Sequence, residues 1–258
     1  MLPPLPIQHR IASILSTYDA LIQNYKRQIA ALQSAASELY KEWFVRFRFP
    51  GFKNAKFDNG LPVGWKVKRV GLLYETTSGG TPSREHEEYY QNGIYPWIKT
   101  GELKDSPIIK TEETITEDAV KHSSAKLFEK DSLIIAMYGA TIGQLGINKM
   151  PATCNQACCV LRPRKGKAFG IYYLFNYFKE SRTYIIGLAN GAAQQNLSQI
   201  LINKLKIINP TKAILENFEQ KESIMFDQIY LLQQQITNLT TQRDLLLPRL
   251  MSGKLLVE

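Results

Sequence analysis

Cysteine is scarce in this chain: Cys154, Cys158 and Cys159 are the only three among 258 residues. Their odd number and close spacing exclude a disulfide framework and fit a reducing cytosol. No run of about 18 uncharged apolar residues occurs, so no membrane-spanning helix is expected. The opening Met1-Leu-Pro-Pro-Leu-Pro-Ile-Gln-His-Arg10 has no basic stretch followed by an apolar one, and does not read as a secretion signal. With 44% apolar and 21% charged residues, collagen-like and disordered classes are excluded, and the chain can bury a real core. A cytoplasmic protein without membrane contact is the expectation.

Catalytic motifs are equally sparse. No P-loop lysine pattern is present, and Lys165-Gly166-Lys167 is a charged turn. The Asn/Asp-Pro-Pro-aromatic box of base methyltransferases is missing: Pro-Pro occurs only at Pro3-Pro4, and Asn209-Pro210-Thr211 has neither the second proline nor the aromatic. His9, His86 and His122 lie far apart, and Cys154-x-x-x-Cys158-Cys159 contains no CxxC pair, so no metal site is expected. Cys158 and Cys159 sit in an apolar run and read as small buried hydrophobes. A Cys–His nucleophile pair is left open, with no motif in its favour. The acidic clusters Glu85–Glu88 and Glu112-Glu113 could bind Mg²⁺ as a nuclease would, but read more simply as solvated loop faces. No catalytic residue, metal or cofactor is assigned to this chain.

Two features stand out against these absences. The first is charge. The chain carries a formal net +9, and residues 50–210 hold 21 basic and 14 acidic side chains, a net +7. An excess of this kind favours an anionic partner, most often nucleic acid. The second is periodicity. Ile11, Leu15, Tyr18, Ile22, Tyr25, Ile29, Leu32, Ala36, Leu39 and Trp43 follow a 4,3,4,3 spacing with no Pro or Gly between Ile7 and Phe49. A 3.5-residue period predicts a coiled-coil seam on a helix about 50 Å long. Phe218, Met225, Ile229, Leu232, Ile236, Leu239, Leu246 and Leu250 keep the same rhythm, and an offset of 207 overlays Ile11 on Phe218 and Leu39 on Leu246. Glu222 and Arg243 interrupt this second seam. They either set register or mark where the second helix leaves its partner.

Residues 50–210 read as mixed α+β. Pro50-Gly51 is expected to end the first helix, and Asn59-Gly60 supplies a turn. Short β-like runs follow at Trp65–Val70, Ile94–Ile98, Leu133–Tyr138, Gln144–Ile147, Ala157–Arg162 and Leu205–Ile208, with a helix over Phe169–Leu188. The expected fold class is α+β. One mixed α/β domain with a small twisted sheet (50–210) is flanked by two long helices (1–49 and 211–258) that form an antiparallel coiled coil. The pairing residues are Ile11, Leu15, Tyr18, Ile22, Ile29, Leu32, Leu39, Met225, Ile229, Leu232, Ile236, Leu239 and Leu246.

Four loops combine glycine with amide, hydroxyl and basic side chains, the chemistry that contacts base edges and phosphates. They supply the DNA-contact candidates. Ser78, Gly79, Gly80, Thr81, Ser83 and Arg84 come from the first loop, and Lys99 and Thr100 from the second. Tyr138, Thr141 and Gln144 come from the third, and Gln194, Gln195 and Asn196 from the fourth.

At these residues the chain resembles the specificity subunit of type I restriction–modification systems. The motifs that carry the resemblance are Leu2-Pro-Pro-Leu-Pro-Ile-Gln-His-Arg-Ile-Ala-Ser-Ile-Leu15, Leu61-Pro-x-Gly-Trp65, Thr77-Ser-Gly-Gly-Thr-Pro-Ser83 and Pro96-Trp97-Ile98. Further on come Gly139-Ala-Thr-Ile-Gly143, Thr153-Cys-Asn-Gln-Ala-Cys158, Gly191-Ala-Ala-Gln-Gln-Asn-Leu197 and Leu246-Leu-Pro-Arg-Leu-Met-Ser-Gly-Lys254. The resemblance spans nearly the whole chain. It implies a target recognition domain that reads double-stranded DNA, helices that dock methyltransferase subunits, and no catalytic centre. S-adenosylmethionine, ATP and Mg²⁺ would then be bound by the methyltransferase and restriction subunits. The family usually carries two recognition domains in one chain, whereas this sequence holds one. It therefore reads as a half-subunit, either pairing with an identical copy to read a symmetric interrupted site or supplying a domain to a fuller specificity chain. The competing reading is a structural coiled-coil adaptor whose middle domain binds protein.

If Gln194 and Gln195 read base edges, replacing both by alanine relaxes sequence discrimination by about 1–3 kcal/mol per contact, measured by competition between duplexes. A fall in melting temperature with unchanged discrimination would assign them to structure instead.

Overall fold

The computed structural model describes residues 3–165, 170–190 and 196–255. The chain begins with α1 (Leu5–Tyr40), the strands β1 (Phe57–Asp58), β2 (Leu61–Pro62) and β3 (Lys66–Arg69), and the short α2 (Val70–Leu73). Next come β4 (Tyr74–Ser78), β5 (Tyr95–Ile98), β6 (Ser106–Ile108), β7 (Thr114–Ile115), α3 (Glu117–His122), β8 (Leu133–Ala136), β9 (Leu145–Asn148), β10 (Thr153–Cys154) and β11 (Cys158–Pro163). The chain ends with α4 (Ile171–Glu180), α5 (Arg182–Asn190), α6 (Gln199–Lys204), β12 (Lys206–Asn209) and α7 (Lys212–Met251). This is a mixed α/β chain with small sheets and two long helices.

Two compact units form, residues 36–226 and residues 1–35 with 227–258. The division falls inside α1 and α7, whereas composition alone draws boundaries at 49/50 and 210/211. The cause is aromatic. Tyr40, Trp43, Phe44, Phe49, Phe218 and Phe226 are buried in the core of the larger unit, with Phe44 packed 4.6 Å from Tyr173 and 4.9 Å from Phe218 between ring centres. The first helix accordingly stops at Tyr40, before Pro50-Gly51, and passes through a π-turn over Lys41–Val45 that turns Trp43 and Phe44 inward.

The larger unit holds a five-stranded sheet in the order β4-β11-β8-β9-β6, a three-stranded sheet β10-β5-β7, and the pairs β12-β3 and β1-β2. The sequence leads one to expect a single small sheet; the strands divide instead among four sheets. The β1–β2 hairpin turns on Asn59 (φ +48°) and Gly60 (φ +78°), the left-handed pair that a two-residue hairpin requires. Strand β8 is buried throughout, as are Cys158 to Leu161 of β11, which accounts for their unbroken apolar runs. The expected helix over Phe169–Leu188 is two helices broken at Ser181, and Phe169 itself lies outside the described residues. Ile171 to Phe178 of α4 are all buried.

Helix α7 grips α4 through two carboxylates. Glu219 accepts the amide of Tyr173 at 2.6 Å and that of Tyr172 at 3.2 Å, capping the first turn of α4. Gly170 leaves the room: a Cβ there would lie 1.6 Å from Glu219 Cδ. Glu222, fully buried, accepts from Asn176 Nδ2 at 3.0 Å. Glu222 Oε1 and Asn176 Oδ1 are buried without partners. Two bare acceptors in one pair favour a proton on the carboxyl. Of the alternatives for the first polar break in the seam, the structure thus turns Glu222 toward the mixed domain.

In the smaller unit, Ile11, Ile22, Ile229, Leu232 and Leu250 are buried. Leu15, Tyr18, Tyr25, Ile29, Leu32, Ile236, Leu239 and Leu246 are half-buried. Arg243, the second polar break, donates to Asp19 Oδ1 at 2.6 Å and so ties α7 to α1. Leu39 and the half-buried Met225 belong to the larger unit, where Leu39 packs on the aromatic core. Among the described residues, no helix is long and apolar enough to cross a membrane.

Burial is the largest cause raising Glu219 to about 7 and Glu222 to about 8, against the opposing pull of their hydrogen bonds. Both stand above the unfolded value of about 4.3. The stability they add is complete below that value and is lost as pH rises through 7 and 8. Urea unfolding of the full chain should show stability declining from pH 5 to pH 9. In Glu222→Gln, which keeps a neutral donor, that decline should shrink by on the order of 4 kcal/mol. Superimposable pH profiles would contradict the assignment.

Candidate nucleic-acid interface

The Asn155-Gln156-Ala157 turn joins three of the four loops. Asn155 N donates to Ile98 O at 3.0 Å, holding the 97–102 loop. Gln156 Oε1 accepts from Thr81 Oγ1, holding the loop after β4. Ala157 O accepts from Met137 N at 2.9 Å, holding the β8–β9 connection, and Met137 O accepts from Leu197 N at 2.8 Å. Exposed Thr81, Gln156, Tyr138 and Asn196 therefore line one edge of the larger unit. Sequence reasoning places Gln156 within a motif but not among the candidates; its position two residues before the buried Cys158 is the available signal.

Several candidates take other roles. Ser78 is a strand residue of β4, half-buried and registered opposite Cys159. Gly79 and Gly80 are buried against the protein's own backbone. A Cβ on Gly79 would lie 1.9 Å from Cys154 O, and one on Gly80 would lie 2.2 Å from Ser124 O. The Gly80 amide donates to Cys154 O at 2.9 Å, and Gly80 O accepts from Trp97 Nε1 at 3.0 Å. The approach these glycines allow is that of the protein's own backbone.

Arg84 and Lys99 are brought together, but around a carboxylate. Arg84 donates to Glu113 at 2.7 Å and stacks 4.0 Å above the Tyr90 ring. Lys99 Nζ lies 2.6 Å from Glu112 and 2.9 Å from Glu113. Arg84, then Lys99, hold the Glu113 carboxyl down to about 2. Arg84 and Glu112 are exposed, whereas Lys99 and Glu113 are half-buried. Glu112 and Glu113 thus serve these cations. Ser83, exposed, accepts the amide of Glu85 at 3.2 Å, and Thr100 is half-buried in a 3₁₀ turn.

The β8–β9 connection is braced from beneath. Arg182 grips Asp105 with two bonds of 2.9 and 2.5 Å, and Asp105 Oδ1 also accepts from Leu145 N at 3.1 Å. Gly143 (φ +76°) rests on the Arg182 stem. Thr141 and Gln144 are half-buried above this brace, and Gln144 Oε1 is buried without a partner. Gln194 and Gln195 lie outside the described residues.

Among the described residues, no group of three or more His, Cys, Asp or Glu gathers as a metal site. All three thiols are free and buried. Burial, the first cause, pushes the Cys159 thiol up to about 12. The hydrogen bond with Cys154, ahead of burial, raises that of Cys158 further.

Residues 62–243 match the family described as type I restriction modification DNA specificity domain. The chain is similar to the type I restriction enzyme MjaIX specificity subunit of Methanocaldococcus jannaschii, at 31% identity over 97% of this chain and 59% of that protein. It is also similar to the HindI specificity subunit of Haemophilus influenzae, at 28% identity over 76% and 42%. The S subunit of the type I system from M. genitalium shares the fold, with a TM-score of 0.69 at 16% identity, covering 96% of this chain and 61% of that one. The chain thus spans three fifths or less of the length of these two specificity subunits.

Gly80→Ala should cost about 3 kcal/mol of stability, because backbone rather than a side chain would have to yield. Gly101→Ala, where a Cβ meets open space, should change stability by less than about 1 kcal/mol. Equal urea midpoints for the two variants would contradict the close packing of the loop.

Proposed function

This chain belongs to the type I restriction–modification DNA specificity family, and on that premise we propose that it is a non-catalytic, sequence-reading subunit. Its domain over residues 50–210 reads one half of a bipartite duplex target. The observation that carries this reading is the edge on which Thr81, Gln156, Tyr138 and Asn196 stand beside Arg84 and Lys99. Amides, hydroxyls and cations are the groups that bond base edges and phosphates.

In this reading the flanking helices, residues 1–49 and 211–258, pair as an antiparallel coiled coil and dock methyltransferase subunits. The covered heptad positions and the Asp19–Arg243 bond support that pairing. The restriction subunit completes the complex, with S-adenosylmethionine, ATP and Mg²⁺ bound by the partners. A second copy, or a different specificity chain, reads the other half-site. Two identical domains would select a symmetric, interrupted sequence.

The test is competition binding by the chain assembled with its methyltransferase subunits. Asn196→Ala should reduce discrimination between target and unrelated duplexes by about 1–3 kcal/mol with melting temperature unchanged, and Gln156→Ala, which also loses the Thr81 bond, should reduce discrimination by a similar amount. Wild-type affinity should fall steeply with salt. An assembled complex that binds no duplex, or binds every duplex equally, would overturn the reading.

A further inference from the structure

The cations at the reading edge are already paired. A second group is not. Strands β3 and β12 pair antiparallel with Arg69 directly opposite Lys206. Like charges in that register repel and cost stability. The backbone keeps this ribbon beside α2 and α6: Val70 N donates to Leu205 O at 2.8 Å, and a Cβ on Gly71 would lie 2.7 Å from Asn203 Oδ1. Lys204 ends α6 on this corner, and Arg164 reaches it from beyond β11, its Nε donating to Gly71 O at 2.9 Å. Arg69, Arg164, Lys204 and Lys206 are all exposed. Among the described residues none of the four forms an ion pair, in contrast to Arg84, Lys99 and Arg182.

The corner is joined to the reading edge by one strand. β4 leaves α2, takes a hydrogen bond at Thr76 from Asn203 Nδ2 at 2.8 Å, and runs five residues to the loop that carries Thr81. At about 3.3 Å per residue that is about 17 Å, or about five base-pair rises of B-form DNA. A duplex lying on the reading edge can therefore pass its phosphates over the corner.

We propose that the β3–α2–α6–β12 corner, through Arg69, Lys204 and Lys206 with Arg164 beside them, is a sequence-independent contact surface for the DNA phosphate backbone. It anchors the duplex about half a helical turn from the reading edge. This rests on the DNA-reading function proposed above and adds to it a division of labour. The edge discriminates between sequences, and the corner supplies affinity that salt removes.

The experiment measures binding of the full chain, with its methyltransferase subunits, to a mixed-sequence duplex across a salt series. Removing one cation that neutralises a phosphate lowers the log–log salt slope by about 0.9. The triple variant Arg69→Gln, Lys204→Gln, Lys206→Gln should lower it by about 2 to 3 and weaken binding at least about tenfold near 0.1 M salt. Arg164 is left intact because it supports Gly71. A control of equal charge change, Lys104→Gln, Lys110→Gln, Lys130→Gln, should leave the slope unchanged. Lys206→Gln alone should lower it by about 0.9, so the proposal stays testable if the triple variant folds poorly. Equal effects of both triples, or none from either, would overturn the corner while leaving the reading edge standing. A wild-type complex that binds no duplex would overturn both.

Discussion

The backbone contact between Gly79-Gly80 and residues 154–158 sets the rest of the candidate interface. Two chains can approach so closely only where one has no Cβ, and here the approach closes a hydrogen bond from Gly80 N to Cys154 O. It places the loop after β4 against the Asn155-Gln156-Ala157 turn. That turn in turn holds Ile98 and Met137. Four stretches separated widely in sequence then present their polar side chains along one edge. The glycines bring together Thr81 and Gln156, whose side chains hydrogen-bond.

Charge follows a similar economy. Near the edge, Arg84 and Lys99 share Glu113, which orients both side chains without leaving a strong local field. The unbalanced part of the domain's net +7 includes the β3–β12 ribbon, where Arg69 faces Lys206. The neutral amides and the unpaired cations thus lie at opposite ends of β4.

Much of this is legible in the sequence, and the residues show why. The 3.5-residue rhythm finds covered positions such as Ile11, Ile22, Ile229 and Leu232 because helix geometry links spacing to face directly. The apolar runs at 133–138 and 157–162 mark β8 and β11 because both are buried on either side. What escapes depends on partners distant in the chain. Thr76 to Ser78 read as a loop because Thr, Ser and the following glycines favour turns, yet pairing with β11 makes them a strand. Arg84 and Lys99 read as free cations because Glu113 lies 29 and 14 residues away. Glu222 reads as a flaw in a seam because Asn176, its partner, is on another helix.

The account's central claim is that this chain chooses the sequence on which its partners act. The most direct measurement maps every methylated base in the host genome with the gene intact and with it deleted. The account predicts that deletion removes one modified, interrupted motif completely and leaves all other modification in place. A map identical in the two strains would contradict it.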